Sequence, residues 1–266
     1  MSNVSVDPPR LVERVADGIR TITLHNPKAR NALTFAMWAQ LKASIEEAGD
    51  DPETRVVVIT GSGGKAFASG TDIVELRALT TAQHALDYEA MSDGVLSAIE
   101  RCPKPTIAAM AGAVTGGGAA IAVACDLRIA AANLRFGMPI ARTIGNCIAG
   151  IGYARFAAII GSARVLELIY TARLVDADEA KMIGLVTEVL ESPEALAERA
   201  EALAFTVASH APLTLRVTKE ALRRLRDATA RTVNTDDLLE MCFTSRDFRH
   251  GIETFLAGER PFWEGR

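Results

Sequence analysis

The sequence predicts an α/β protein: a core built on a parallel sheet, followed by a part that is almost wholly helical. Three observations carry this. Thr106–Met110 and Leu127–Ala131 read as strands, with the glycine triplet Gly116, Gly117, Gly118 and a short helix between them, the β-α-β alternation of a parallel sheet. Arg55–Thr60 (RVVVIT) is a β-branched run suited to a strand covered on both faces. From about Gly150 onward the spacing is helical, with Leu185–Val189 as one strand.

Taken in order, Ile19–His25 (IRTITLH) alternates apolar and polar residues as a half-buried strand does. Asn31 is read as opening a helix in which Leu33, Met37, Leu41 and Ile45 recur every four residues, with Gly49 as its stop signal. The RVVVIT strand leads into the loop GSGGKAFASG. Asp72, in D-I-V-E, reads as a helix cap with Glu75 reaching back, a capping box, and that role is favoured over catalysis. The stretch Val114–Asp126 (VTGGGAAIAVACD) sets its glycines at a strand-to-helix turn. Pro193 and Pro212 sit where helices start, since their missing N–H costs nothing there. The core is expected to span residues 1–200 and a helical C-terminal region residues 201–266.

Composition narrows the classes of function. With 266 residues and 49% hydrophobic content, the chain can bury one large domain or a core with a small appendage. Its 29 Lys+Arg against 33 Asp+Glu give a net charge of −4, and no basic run makes a phosphate-binding stripe, so nucleic acid is not an expected partner. Cys102, Cys125, Cys147 and Cys242 lack metal-ligand spacing and a disulfide framework, which points to a reducing, cytoplasmic location and no metal. The opening MSNVSVDPPRLVER has no apolar signal-peptide region. Thr106–Cys125 is long and uncharged, but it is rich in Gly and Ala and reads as a buried strand–turn–helix, so no membrane span is expected.

Both glycine-rich loops follow a strand and precede a helix, which turns backbone N–H groups outward at helix N-termini, where negative charge is attracted. Gly also admits a ligand close to the backbone. Neither loop fits G-x-x-x-x-G-K-[ST] or G-x-G-x-x-G, so a nucleotide-phosphate site is disfavoured.

Three motifs in order, HNPKARNAL, VVVITGSGGKAFASGTDIVEL and KPTIAAMAGAVTGGGAAIAVACDLRIAAANLRFGMP, together with the C-terminal FTSRDFRHGIETFLAGERPFW, resemble the crotonase superfamily, also called the enoyl-CoA hydratase/isomerase family. The resemblance covers almost the whole chain. It implies a core of β-β-α repeats, a helical C-terminal region that builds a homo-trimer or hexamer, and an acyl-CoA site. No cofactor is held permanently, and coenzyme A comes as part of the substrate. By the same resemblance the backbone N–H groups of Thr71 and Gly117 form an oxyanion hole for the thioester oxygen, a device worth about 2.7–4 kcal/mol per donor. The coenzyme is expected along Lys28, Ala29 and Arg30 and along Ala66, Ala68, Ser69, Gly70 and Asp72, with Arg260 and Phe262 of the tail closing over the nucleotide.

Hydratases of this family carry two acid/base glutamates. The matching positions here hold Ala120 and Ile140, and a one-residue slip in PIARTIGN would bring Ala141 or Arg142 to the second, still without a carboxylate. A positioned acid or base contributes about 10²–10⁴-fold, so ordinary hydration is expected to be crippled while a backbone hole survives. The nearby polar candidates are Arg142, Thr143, Asn146, Cys147 and the Thr71 side chain, each of which also has a structural reading: a subunit salt bridge for Arg142, a small buried residue for Cys147, a helix cap for Thr71. His84 and Tyr88, one turn apart on an amphipathic helix, are weaker candidates. Three functions stay open: a hydratase or isomerase using a non-glutamate group, a decarboxylase of malonyl-type thioesters, and a catalytically silent acyl-CoA-binding subunit.

Overall fold

The computed structural model describes residues 7–266, with the side chain of Thr229 left out; the start of the opening segment, MSNVSV, lies outside the described residues. A β-hairpin, β1 (Arg10–Ala16) and β2 (Ile19–His25), leads through a 3-10 turn (Pro27–Ala29) to α1 (Phe35–Asp50). Then come β3 (Val56–Gly61), β4 (Ala66–Ala68), α2 (Ile73–Leu76) and α3 (Ala82–Arg101). The next turn of the fold is β5 (Thr106–Met110), β6 (Ala113–Thr115) and α4 (Gly117–Ala124), followed by β7 (Leu127–Ala131), β8 (Arg135–Gly137) and α5 (Ile140–Thr143). Helices α6 (Gly150–Ile160), α7 (Ser162–Thr171) and α8 (Ala177–Met182) precede β9 (Glu188–Leu190). The chain closes with α9 (Pro193–Ala208), α10 (Pro212–Ala230), α11 (Asp236–Phe243) and α12 (Arg246–Ala257).

Two sheets result. The larger has the order β1-β2-β3-β5-β7-β9, parallel from β2 onward, and the smaller is β4-β6-β8. After the opening hairpin, whose two strands both join the larger sheet, the pairs β3/β4, β5/β6 and β7/β8 each contribute one strand to each sheet, so the chain winds as a superhelix of β-β-α repeats. Alternation within β3 explains the layering. Val57 and Ile59 face an inner core with Trp38, Met37 and Leu41 of α1, whereas Val56 and Val58 face outward under Leu196, Ala200 and Ala204 of α9.

β2, β5 and β7 fall on the residues read from the sequence, and Pro193 and Pro212 open their helices. Other details differ. Asn31 does not open α1; it is left-handed (φ 57), and its amide nitrogen donates to the carbonyls of Ser62 and Ala66 at 3.0 and 2.7 Å. Thr34 caps α1 by accepting from the Met37 N–H, and Gly49 lies within the helix. The 61–70 loop contains strand β4, and the strand read at Leu185–Val189 is Glu188–Leu190. Asp72 does cap α2, accepting from the Val74 N–H at 2.8 Å, but Glu75 turns away and accepts from the Phe35 N–H, so the reciprocal half of the box is absent. Helix α9 runs unbroken through residue 200, where the helical C-terminal region is expected to begin, and seals the outer face of the sheet. Helix α10 is tied back as well: the Lys219 ammonium donates to the Ile99 carbonyl at 2.9 Å and to Asp126 at 2.8 Å.

Candidate active site

The two glycine turns touch. Gly70 (φ +118) and Gly116 (φ +53) have backbones that favour glycine, and a Cβ on Gly70 would lie 3.7 Å from the Gly117 amide nitrogen. The Thr115 hydroxyl donates to the Ser69 carbonyl at 2.9 Å and pins the loops together. The triplet is explained one residue at a time: Gly116 turns, Gly117 passes beneath the Trp38 ring, and Gly118 packs on the Ala68 carbonyl, which a Cβ would meet at 2.3 Å. The N–H groups of Thr71 and Gly117 donate no hydrogen bond among the described residues.

Beside this junction lies a cavity of about 70 Å³, bordered by Trp38, Tyr88, Gly117, Ala120, Ile140 and Asn146. The volume suits a few waters or a short acyl chain. The Thr71 side chain is not a helix cap. Its hydroxyl oxygen accepts from the Trp38 indole N–H at 3.1 Å and pairs with the Tyr88 hydroxyl at 2.8 Å, a chain that fixes α1, α3 and the first glycine loop around one atom. Burial pushes the Tyr88 phenol far above its usual value.

Ala120 and Ile140, where the family's glutamates were sought, both line the cavity with apolar surface. Asn146 also lines it. Its side-chain oxygen is buried without a hydrogen bond, while its amide nitrogen donates to the Cys147 carbonyl at 3.3 Å. Arg142 lies on the exposed side of α5 and does not border the cavity, because the four-residue turn puts Ile140 inward instead. Thr143 bonds back to the Pro139 carbonyl at 3.0 Å, and Cys147 turns to α11, where it meets Cys242. His84 is exposed and engages Thr80.

The segments read as lining coenzyme A run side by side. The Ser69 hydroxyl donates to the Ala29 carbonyl at 3.0 Å and the Ser69 N–H to the Arg30 carbonyl at 3.1 Å. Lys28 and Arg30 are exposed, whereas the Ala66 and Ala68 side chains are buried and can offer only backbone. Phe262, 71% exposed, stands on the tail with its N–H donating to His250.

The sequence reading missed Glu89. This carboxylate of α3 is 7% exposed, borders the same cavity, and accepts from the Ala149 N–H at 3.0 Å. Burial, aided by the negative charge of Asp93, raises it to about 7, against the Ala149 N–H and Arg155, which lower it. Arg155 also borders the cavity but is committed to Glu100, with two contacts of 3.0 Å, and to Asp93 at 2.7 Å. A signal for Glu89 was present: Ala85, Glu89, Leu96 and Glu100 recur on the buried face of α3 at helical spacing.

The enoyl-CoA hydratase/isomerase family profile matches residues 14–266. The chain belongs to this family. Crotonyl-CoA hydratase of Syntrophomonas wolfei is 34% identical over 240 residues, covering 90% of this chain and 91% of that one. An enoyl-CoA hydratase/carnithine racemase from Magnetospirillum magneticum, 33% identical, superposes with a TM-score of 0.78 over 96% of both chains. A methylmalonyl-CoA decarboxylase in complex with 2-nitronate-propionyl-CoA, 27% identical, gives 0.86 over 96% of this chain and 98% of that one. As in other members of the enoyl-CoA hydratase/isomerase family, the substrate is an acyl-CoA. Among the described residues no cluster of His, Cys, Asp and Glu is arranged to hold a metal, and no helix is long and apolar enough to cross a membrane.

Proposed function

We propose that the protein is an acyl-CoA enzyme that stabilises a thioester enolate between the backbone N–H groups of Thr71 and Gly117. The observation that carries this reading is the contact of the two glycine turns beside a cavity, with both amides free of other acceptors among the described residues. Fixed backbone dipoles need no reorganisation as negative charge develops on the thioester oxygen. The joined segments of Lys28, Ala29, Arg30 and Ser69 supply the path for the coenzyme, with Gly70 and Asp72 at its inner end. Phe262 closes over the nucleotide, across a trimer or hexamer built by the helical C-terminal region. Four thiols left free suit a reducing, cytoplasmic setting.

The second reading, decarboxylation of a malonyl-type thioester, is favoured by the overlay with methylmalonyl-CoA decarboxylase at a TM-score of 0.86. Loss of CO₂ leaves the enolate without a protein base. Against it, Arg142 lies outside the cavity and Arg155 is already paired with Glu100 and Asp93, so the cavity's arginine is not free for a substrate carboxylate.

The test is incubation with crotonyl-CoA, a 3-enoyl-CoA and methylmalonyl-CoA, each followed by mass spectrometry, beside calorimetry with acetyl-CoA. Turnover of an enoyl-CoA supports the first reading, and turnover of methylmalonyl-CoA alone the second. Binding without any turnover leaves an acyl-CoA-binding subunit. No heat with acetyl-CoA and no competition by free coenzyme A would defeat all three.

A further inference from the structure

Glu89 enters the cavity from the wall formed by α3, on a different element from either position at which the family's glutamates were sought. One carboxyl oxygen is held by the Ala149 N–H at 3.0 Å, and the other takes no hydrogen bond among the described residues. Its neighbours on α3 are engaged: the Tyr88 hydroxyl pairs with Thr71, and Asp93, whose buried Oδ1 takes no hydrogen bond among the described residues, is held in an ion pair with Arg155 at 2.7 Å. The Ser92 hydroxyl donates to the Glu89 main-chain carbonyl at 3.1 Å. Glu89 is therefore a carboxyl group that is anchored at one oxygen, open at the other, and shares a cavity with Gly117.

We propose that Glu89 is the proton carrier of this site, taking the place of the two absent glutamates and confining the enzyme to one-base chemistry on a short 3-enoyl-CoA. The proposal rests on the oxyanion-hole reading above. In the first step the Glu89 carboxylate removes a proton from C2 of the 3-enoyl thioester. The C–H electron pair becomes the C1–C2 double bond, and the carbonyl pair moves to the thioester oxygen, held by the Thr71 and Gly117 N–H groups. In the second step the dienolate collapses: the oxygen pair re-forms the carbonyl, the C1–C2 pair becomes the C2–C3 double bond, and the C3–C4 pair takes the proton back from Glu89 at C4. The product is a 2-enoyl-CoA, and no co-reactant is consumed. Hydration would need a second group to activate water, and the apolar walls at Ala120 and Ile140 offer none.

Burial suits Glu89 to this cycle. A group raised to about 7 is present near neutral pH as both acid and base, the condition under which one residue serves both half-reactions. The groups that face it are Asp93 and Tyr88 of α3, Arg155 and Tyr153 of α6, and the Cys147 thiol beside Cys242 of α11.

The experiment measures conversion of 3-hexenoyl-CoA by the wild-type protein, Glu89→Gln and Glu89→Asp across pH 5–9, with acetyl-CoA affinity measured in parallel. Glu89→Gln keeps the acceptor for the Ala149 N–H and is expected to lower kcat by about 10²–10⁴-fold with acetyl-CoA affinity unchanged. Wild-type kcat/KM is expected to rise with pH through about 7, with that rise absent in Glu89→Gln and activity partly restored in Glu89→Asp. Equal turnover by wild type and Glu89→Gln, or wild-type binding of acetyl-CoA with no conversion of 3-hexenoyl-CoA, overturns the role of Glu89 and leaves the oxyanion hole standing. Failure of the wild type to bind any acyl-CoA overturns both.

Discussion

The side-chain oxygens of Thr71 and Tyr88 lie 2.8 Å apart, and the same Thr71 oxygen accepts from the Trp38 indole at 3.1 Å. Three elements distant in sequence thus meet at one hydroxyl behind the first glycine loop, and the loop's N–H geometry depends on their meeting.

Removing that hydroxyl is therefore predicted to cost more than removing its partner. Tyr88→Phe deletes one hydrogen bond, worth about 1 kcal/mol, whereas Thr71→Val strands the Trp38 N–H and the Tyr88 O–H together, at about 1–3 kcal/mol each. Urea unfolding of the two variants checks the order; equal midpoints would refute it.

Glycine substitutions are predicted to rank by what they strike. Gly118→Ala drives a Cβ to 2.3 Å from the Ala68 carbonyl, which is backbone and cannot step aside. Gly117→Ala meets the Trp38 ring at 2.7 Å, a side chain that smaller residues can replace. Overpacking of this kind costs about 1–3 kcal/mol, so Trp38→Leu is expected to recover part of the stability of Gly117→Ala and none of Gly118→Ala. Melting temperatures of the three single and two double variants decide this.

The pH dependence of stability carries the mark of Glu89. Its unfolded value is the ordinary 4.5 and its folded value about 7, so between them the folded state holds the extra proton. This group's contribution is full below 4.5 and is lost as pH rises towards 7 and beyond, the reverse of a carboxylate held by a salt bridge. Glu89→Gln, which mimics the protonated form, is predicted to match wild type at pH 4 and to exceed it by about 3 kcal/mol at pH 8. Urea titrations at the two pH values read the difference; a variant no more stable than wild type at pH 8 would sink the prediction.

A buried ion network joins α3, α6 and α10. Arg155 and Arg226 both grip Glu100, and Arg155 reaches Asp93 as well. Glu100→Ala leaves two guanidinium groups without that partner and is predicted to cost about 3–5 kcal/mol, far more than an exposed pair such as Arg77–Glu253, worth about 0–1 kcal/mol. Denaturation of Glu100→Ala beside Glu253→Ala tests the contrast.

Much of the fold was legible because local pattern and final environment agree. β3 is β-branched and becomes a strand covered on both faces, and the glycine triplet sits at the strand-to-helix turn that its composition suggests. Asn31 misled because its residue type favours helix caps, while its use is long-range, bonding carbonyls of Ser62 and Ala66. The proposed oxyanion positions follow from motif order, whereas Glu89 sits in a run, DYEAMSD, whose charges read as a solvated helix face. Helical spacing places it on the buried face of α3, but its contacts with Ala149 and Arg155, from a later helix and its approach, are long-range and are not conveyed by that spacing.

The order β2-β3-β5-β7-β9 means that each strand of the larger sheet pairs with the one laid down just before it in that sheet. A chain emerging from the ribosome at about 5–20 residues per second always has a finished edge to extend, and no strand waits for a partner still to be made. The proton carrier follows a different schedule. Glu89 is synthesised early but remains in water until Ala149 and α6 arrive, after β7 is laid down and before β9 completes the sheet, so a nascent chain builds most of its scaffold before its central carboxyl becomes a weak acid.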